Sequence, residues 1–125
     1  MTRLLASMIA GLLSLAVSAA GIGAAKAPSQ SELFALLNGN TLTGEWDGRP
    51  FTQHFATNRT TRYREGDGET THGTWRVIDN GQYCSIWPPF PRETCYDVLV
   101  DGNTILWQWG GKIHPSTVTP GDSFD

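Results

Sequence analysis

The chain has 125 residues and a mass of 13.7 kDa, with nine basic and twelve acidic residues for a net charge of −3. That length supports one small domain with a single core. The mildly acidic balance, with no cluster of Lys and Arg in excess, excludes the electrostatic footprint of a nucleic-acid binder.

Residues 1–27 differ in texture from everything after them: Arg3 comes first, then an apolar run from Leu4 to Val17, then small residues through Ala25. This is the order of a secretory signal. Ser7, Gly11 and Ser14 interrupt the apolar run, which argues against a permanent anchor of roughly 20 apolar residues. Small-x-small triplets place cleavage after Ala20, Ala25 or Ala27. A cut after Ala27 removes Arg3 and Lys26, leaves seven basic against twelve acidic residues, and defines residues 28–125 as the mature domain.

A short helix is expected next. Ser29 and Glu32 have capping-box spacing, Leu33, Phe34, Leu36 and Leu37 form an apolar stripe, and Asn38-Gly39 supplies a stop. Two turns of helix are marginal alone, so the stripe must dock on the rest of the domain.

From Thr41 onward, short runs rich in Thr, Val, Ile and aromatics alternate with Asp47-Gly48, Gly66-Asp67-Gly68, Asn80-Gly81, Asp101-Gly102 and Pro120-Gly121. Such segments favour the turns that join antiparallel strands. Strands are expected at 41–46, 50–56, 60–64, 71–77, 82–87, 94–100, 104–109 and 112–118. Eight short strands at hairpin spacing, with no long crossover, predict an all-β, up-and-down antiparallel barrel preceded by one helix.

Period two assigns Leu42/Gly44/Trp46, Phe51/Phe55, Thr61/Tyr63, Trp75/Val77 and Ile105/Trp107/Trp109 to the interior. The runs around Cys84 and Cys95 are apolar on both faces, and periodicity leaves their orientation open. The two cysteines allow one pairing, and in an exported chain they read as a disulfide. A hairpin register summing to 179 sets them opposite each other, with the loop Pro88-Pro89-Phe90-Pro91 at the tip. Closing a loop of about a dozen residues contributes about 3 kcal/mol.

Five Trp, five Phe and three Tyr are many for so small a chain. Some of them fill the core; Trp46, Tyr63, Trp75, Trp107 and Trp109 are the candidates to line a pocket at the barrel mouth for a small apolar or aromatic ligand. Trp87 and Phe90 on the proline-rich loop are candidates for an interaction surface. His54, His72 and His114 fall on different strands without other donors at ligand spacing, so no metal site is expected. Ser85, Ser116 and Ser123 lack a nucleophile context, and no carboxylate pair suits acid–base work, so the expectation is a protein with no catalytic residues and no cofactor. Arg62, Arg64, Arg76 and His72 share an outward face with acidic neighbours and read as a solvated surface. Asn58-Arg59-Thr60 matches a glycosylation sequon.

At Leu37–Trp46, Gly73–Val77, Tyr83-Cys84, Cys95-Tyr96 and Asp101–Trp107 the chain resembles small bacterial periplasmic proteins of unknown function. Their pattern is a short helix, a first strand with two spaced glycines, a Gly-Thr-Trp strand and a paired-cysteine hairpin. The resemblance covers most of residues 32–112. It implies a lipocalin-like barrel and a periplasmic or secreted address, with no activity to carry over. In size, disulfide and barrel form the chain is also similar to periplasmic inhibitors of secreted metalloproteases, without a match to their inhibitory N-terminal segment. The expected protein is thus a monomer with no membrane span after cleavage. Its expected partner is a small apolar ligand, or an envelope or extracellular protein, including a secreted hydrolase held by the 88–91 loop.

Overall fold

The computed structural model describes residues 24–124; residues 1–23 of the expected leader lie outside the described residues, as does Asp125. A helix, α1 (Gln30–Leu37), precedes eight strands: β1 (Thr41–Trp46), β2 (Arg49–Phe55), β3 (Thr60–Glu65), β4 (Thr71–Val77), β5 (Tyr83–Ile86), β6 (Thr94–Asp101), β7 (Thr104–Trp109) and β8 (Lys112–Thr119). Each strand pairs antiparallel with the next, and β8 returns to β1 to close the barrel. Closure removes the exposed edges that an open sheet of this size would leave.

The helix starts where its cap predicts. Ser29 Oγ accepts from the Glu32 amide at 3.1 Å, and the Ser29 amide donates to Glu32 Oε1 at 3.2 Å. Its last turn ends at Asn38, whose amide donates to the Phe34 carbonyl. Leu33 and Leu37 are completely or almost completely buried in the barrel core, and Phe34 stacks on Trp75 with ring centroids 5.7 Å apart. Gln30 Nε2 donates to the Val77 carbonyl, and the Gly39 amide to that of Phe55. These bonds seat α1 across the end of the barrel where β2, β4 and β6 finish.

At the opposite end lie the hairpins β1–β2, β3–β4, β5–β6 and β7–β8. The first and last use two-residue turns, Asp47-Gly48 and Gly110-Gly111, fixed by the pairs Trp46↔Arg49 and Trp109↔Lys112. The β6–β7 turn at the helix end is Gly102-Asn103, one residue later than the dipeptide expected. Pro120-Gly121 joins no strands; it begins a tail that folds back over β1. There Thr41 Oγ1 donates to the Gly121 carbonyl, and Asp122 forms an ion pair with Arg62 at 2.6 Å. This tail explains why Thr41 and His54, which point outward, are nonetheless buried.

Strand positions agree with the sequence reading to within a residue or so at each end, β5 being the shortest at four residues. The short β5 leaves the second half of β6 without a neighbour on that side. The N-terminal segment fills this gap: the Lys26 amide donates to the Val100 carbonyl at 2.9 Å, and the Val100 amide to that of Lys26 at 2.7 Å. The folded unit therefore reaches back to Lys26, ahead of Pro28. Of the three expected cleavage positions, those after Ala20 and Ala25 would retain the bridge.

Cys84 and Cys95 are register partners and are bonded, with Cα atoms 4.1 Å apart. The orientation that periodicity left open is now fixed. Tyr83, Ser85 and Trp87 face the interior from β5 and its end, as do Tyr96 and Val98 from β6. The cysteines point outward, where Glu93 and its two-pronged bond to Arg76 (2.6 and 2.8 Å) lie beside them.

Two inward positions carry glycine because there is no room for more. A Cβ on Gly44 would stand 2.7 Å from the Pro115 carbonyl oxygen and 2.9 Å from Ser116 Cβ, at the β1–β8 seam. A Cβ on Gly73 would stand 2.5 Å from the Ile86 carbonyl oxygen and 2.8 Å from the Trp87 ring. Overpacking of this kind costs about 1–3 kcal/mol. Gly44→Ala and Gly73→Ala are each expected to lower stability by that amount in urea unfolding. Gly73→Ala alone is expected to change the near-ultraviolet circular dichroism of Trp87. Cys84→Ala with Cys95→Ala is expected to lose about 3 kcal/mol while keeping the strand signal in the far ultraviolet, because hydrogen-bonded ladders close the barrel on their own.

Candidate functional site

The aromatic side chains divide between the two ends of the barrel. At the helix end Trp75 is buried among Phe34, Phe55 and Tyr83, its Nε1 donating to the Ala56 carbonyl at 3.1 Å. This tryptophan belongs to the packed core and does not line the mouth; of the five pocket candidates, the other four do. At the open end a cavity of about 370 Å³ is walled by Trp46, Phe51, Tyr63, Trp87, Tyr96, Trp107 and Trp109, with Gln53, Tyr83 and Ser85 also lining it. Ligand pockets fall in the range of about 300–1,000 Å³.

The walls are held by contacts among themselves. Trp46 stacks on the buried His114 ring at 3.9 Å, and Tyr63 on Phe51 at 5.4 Å. Tyr96 meets Trp107 edge-on at 5.9 Å and Trp109 at 4.8 Å. Such pairs are worth about 0.5–1.5 kcal/mol beyond the area they bury. Trp107 Nε1 donates to Ser116 Oγ, which donates on to the Ile105 carbonyl. Trp87, which emerged from the loop reading, is part of the wall: it lies across Gly73 and donates from Nε1 to Ser85 Oγ at 3.0 Å. Phe90 is not; it stands 71% exposed on the loop beyond it. Trp109 forms the rim, 48% exposed.

The polar groups sit low in the cavity or at its edge. Gln53 Nε2 donates to Thr61 Oγ1 at 3.0 Å and to the Tyr83 hydroxyl at 3.1 Å, and Thr61 Oγ1 donates to the His54 carbonyl. Gln53 was missed by sequence reasoning although it alternates with Phe51 and Phe55; a polar residue in an inward register was the available signal. Glu65, in register with Thr61 and Tyr63, was missed for the same reason. It lines the cavity, accepts from the Tyr63 hydroxyl at 3.1 Å, and lies 3.6 Å from the exposed Arg49 guanidinium.

Outside the cavity, His54, Arg62 and Arg76 each have an acidic neighbour. Arg62 pairs with Asp122, whose carboxylate also lies 3.8 Å from His54 Nδ1, and Arg76 with Glu93. Arg62 and Arg64 both lie over the Phe124 ring. Among the described residues the one cluster of potential metal donors is Cys84, Glu93 and Cys95, whose sulfurs are already joined to each other. Asn58 caps its own hairpin, accepting from the Thr60 amide and hydroxyl.

Burial pushes the hydroxyls of Tyr63, Tyr83 and Tyr96 above the ordinary phenol value of 10.0, and for Tyr63 the bond to Glu65 adds to it. These are all the tyrosines of the chain. Their folded values exceed their unfolded ones, so the stabilisation is complete below pH 10 and is lost as pH rises toward the folded values. An absorbance titration of the folded protein is expected to show less phenolate at pH 10 than three free tyrosines would give, with the remainder appearing above pH 10 as the protein unfolds. No family model matches the chain, and no curated protein matches its sequence.

Proposed function

We propose that this is a non-catalytic exported protein that binds a small apolar or aromatic ligand in the open end of its barrel. The observation that supports this is the asymmetry of the interior: one end is filled by α1 and Trp75, while the other holds a cavity of about 370 Å³ walled by seven aromatic rings. A protein that needed these rings only as core would bury them all. The walls are packed against each other and hydrogen-bonded at their base, so little ordering remains to oppose a guest. A disulfide fits an oxidising, periplasmic or secreted setting. Among the described residues no helix is long and apolar enough to cross a membrane.

The exposed Phe90 favours a second reading, in which the 88–91 loop docks on an envelope or extracellular protein. Its base is anchored by the disulfide and by the Arg76–Glu93 pair, and Phe90 at its tip is exposed.

Titration with a panel of small aromatic and apolar compounds, followed by tryptophan fluorescence, separates the two. Binding in the cavity is expected to change the emission of Trp46, Trp87, Trp107 and Trp109. Tyr96→Ala, which removes the ring touching Trp46, Trp107 and Trp109, is expected to weaken binding about tenfold. Phe90→Ala is expected to leave it unchanged. An unaltered spectrum across the panel overturns the cavity reading; a purified partner that binds the wild type and is lost with Phe90→Ala supports the loop.

A further inference from the structure

We infer that the guest of this cavity is a small organic cation, an ammonium bearing methyl or aryl groups. The inference rests on the cavity reading above and narrows it to one chemistry.

Among the described residues lining the cavity, Glu65 is the only one of a charged type. It projects inward with Thr61 and Tyr63, and its two oxygens have different surroundings. Oε1 receives the Tyr63 hydroxyl at 3.1 Å, while Oε2 has only the exposed Arg49 at 3.6 Å. Burial keeps that phenol protonated, so it donates to the carboxylate and orients it. A surface guanidinium that is 74% exposed screens the charge weakly.

The walls point the same way. Indole and phenol rings present a negative face, and a cation over such a face is attracted by about 0.5–2 kcal/mol, more as water is excluded. Elsewhere this protein already covers ring faces with its own cations: Arg59 lies 4.4 Å from the Phe34 centroid and 5.6 Å from that of Trp75, and Arg62 and Arg64 each lie 4.7 Å from that of Phe124. Among the described residues none of these contacts falls on a ring of the cavity. Farther down, both donor positions of the Gln53 amide are used, on Thr61 and Tyr83, so that Oε1 is the end of this side chain left to face a guest. Carboxylate, ring faces and amide oxygen are all of negative character. Among the described residues lining the cavity an anion would meet no cationic group, and a neutral guest would leave the Glu65 charge with the exposed Arg49 as its counter-charge.

The test uses three probes of similar shape: phenyltrimethylammonium, its uncharged carbon analogue tert-butylbenzene, and the anion benzenesulfonate, each titrated at low ionic strength. The cation is expected to bind about tenfold more tightly than the uncharged analogue, and the anion more weakly than either. Glu65→Gln is expected to remove most of the preference while keeping affinity for tert-butylbenzene. Trp109→Leu, which keeps an apolar rim without a ring face, is expected to reduce cation binding more than binding of the uncharged probe. Equal binding of cation and uncharged analogue, or tighter binding of the anion, overturns the cation inference and leaves the apolar pocket intact. A cation preference that survives both variants, each confirmed folded by near-ultraviolet circular dichroism, overturns the assignment to this cavity. If neither these probes nor the wider panel binds, the cavity reading falls with it.

Discussion

An eight-stranded barrel encloses a space that its own side chains just fill or that holds one small guest, and in this protein the docking of α1 determines which happens at each end. Two turns of helix have little stability alone. The Ser29–Glu32 box satisfies its first amides, but it is the insertion of Leu33 and Leu37, 0% and 1% exposed, that makes the helix part of the core. Around these leucines gather Leu42, Phe55, Trp75, Val77, Ile105 and Val118. With that end filled, the described residues supply no second plug for the other. The rings of the far end therefore pack sideways on one another, and the cavity lies between them.

The boundary between the two halves is polar. Gln53, Thr61, Tyr83, Ser85 and Ser116 are all buried, each with at least one hydrogen bond. Buried polar groups left unpaired are costly, whereas a satisfied network specifies one arrangement. Here the network fixes the depth of the cavity: below it the core is apolar, and above it the wall tryptophans hang from hydroxyl acceptors. Trp87 on Ser85 and Trp107 on Ser116 use the same device on strands from opposite parts of the barrel.

The architecture was legible because it rests on local signals. The capping box, the turn dipeptides and strict alternation each act over a few residues, and all favour the same meander. The Cys84–Cys95 pairing was the one available to two cysteines, and a hairpin register summing to 179 is consistent with it. What alternation does not show is how far along the barrel axis an inward residue lies. Trp75 and Trp107 look equivalent by parity, yet one is part of the closed end and the other a wall of the cavity, because depth depends on strand stagger around the whole barrel. Pro120-Gly121 was misleading for a related reason: a turn sequence has no strand to return to once β8 has paired with β1. Glu65 and Gln53 were overlooked because polar residues in an inward register look like breaks in a pattern; in a barrel with one end open they line the cavity.

The wall and the loop, separable in sequence, share a boundary in the fold. Trp87 is pinned from three sides: Gly73 provides the space beneath its ring, Ser85 accepts its indole N–H, and Tyr63 meets it edge-on at 6.1 Å. Three residues further on, the exposed Phe90 is held by the backbone bond from its amide to the Trp87 carbonyl. The rigid residue and the exposed one are thus joined by a single turn, so that anything seated against Trp87 lies next to the base of the loop. A protein docking on Phe90 would approach the same rim through which a small guest must enter. The two occupants would then be coupled through Trp87, and by linkage each would change the affinity of the other by the same factor.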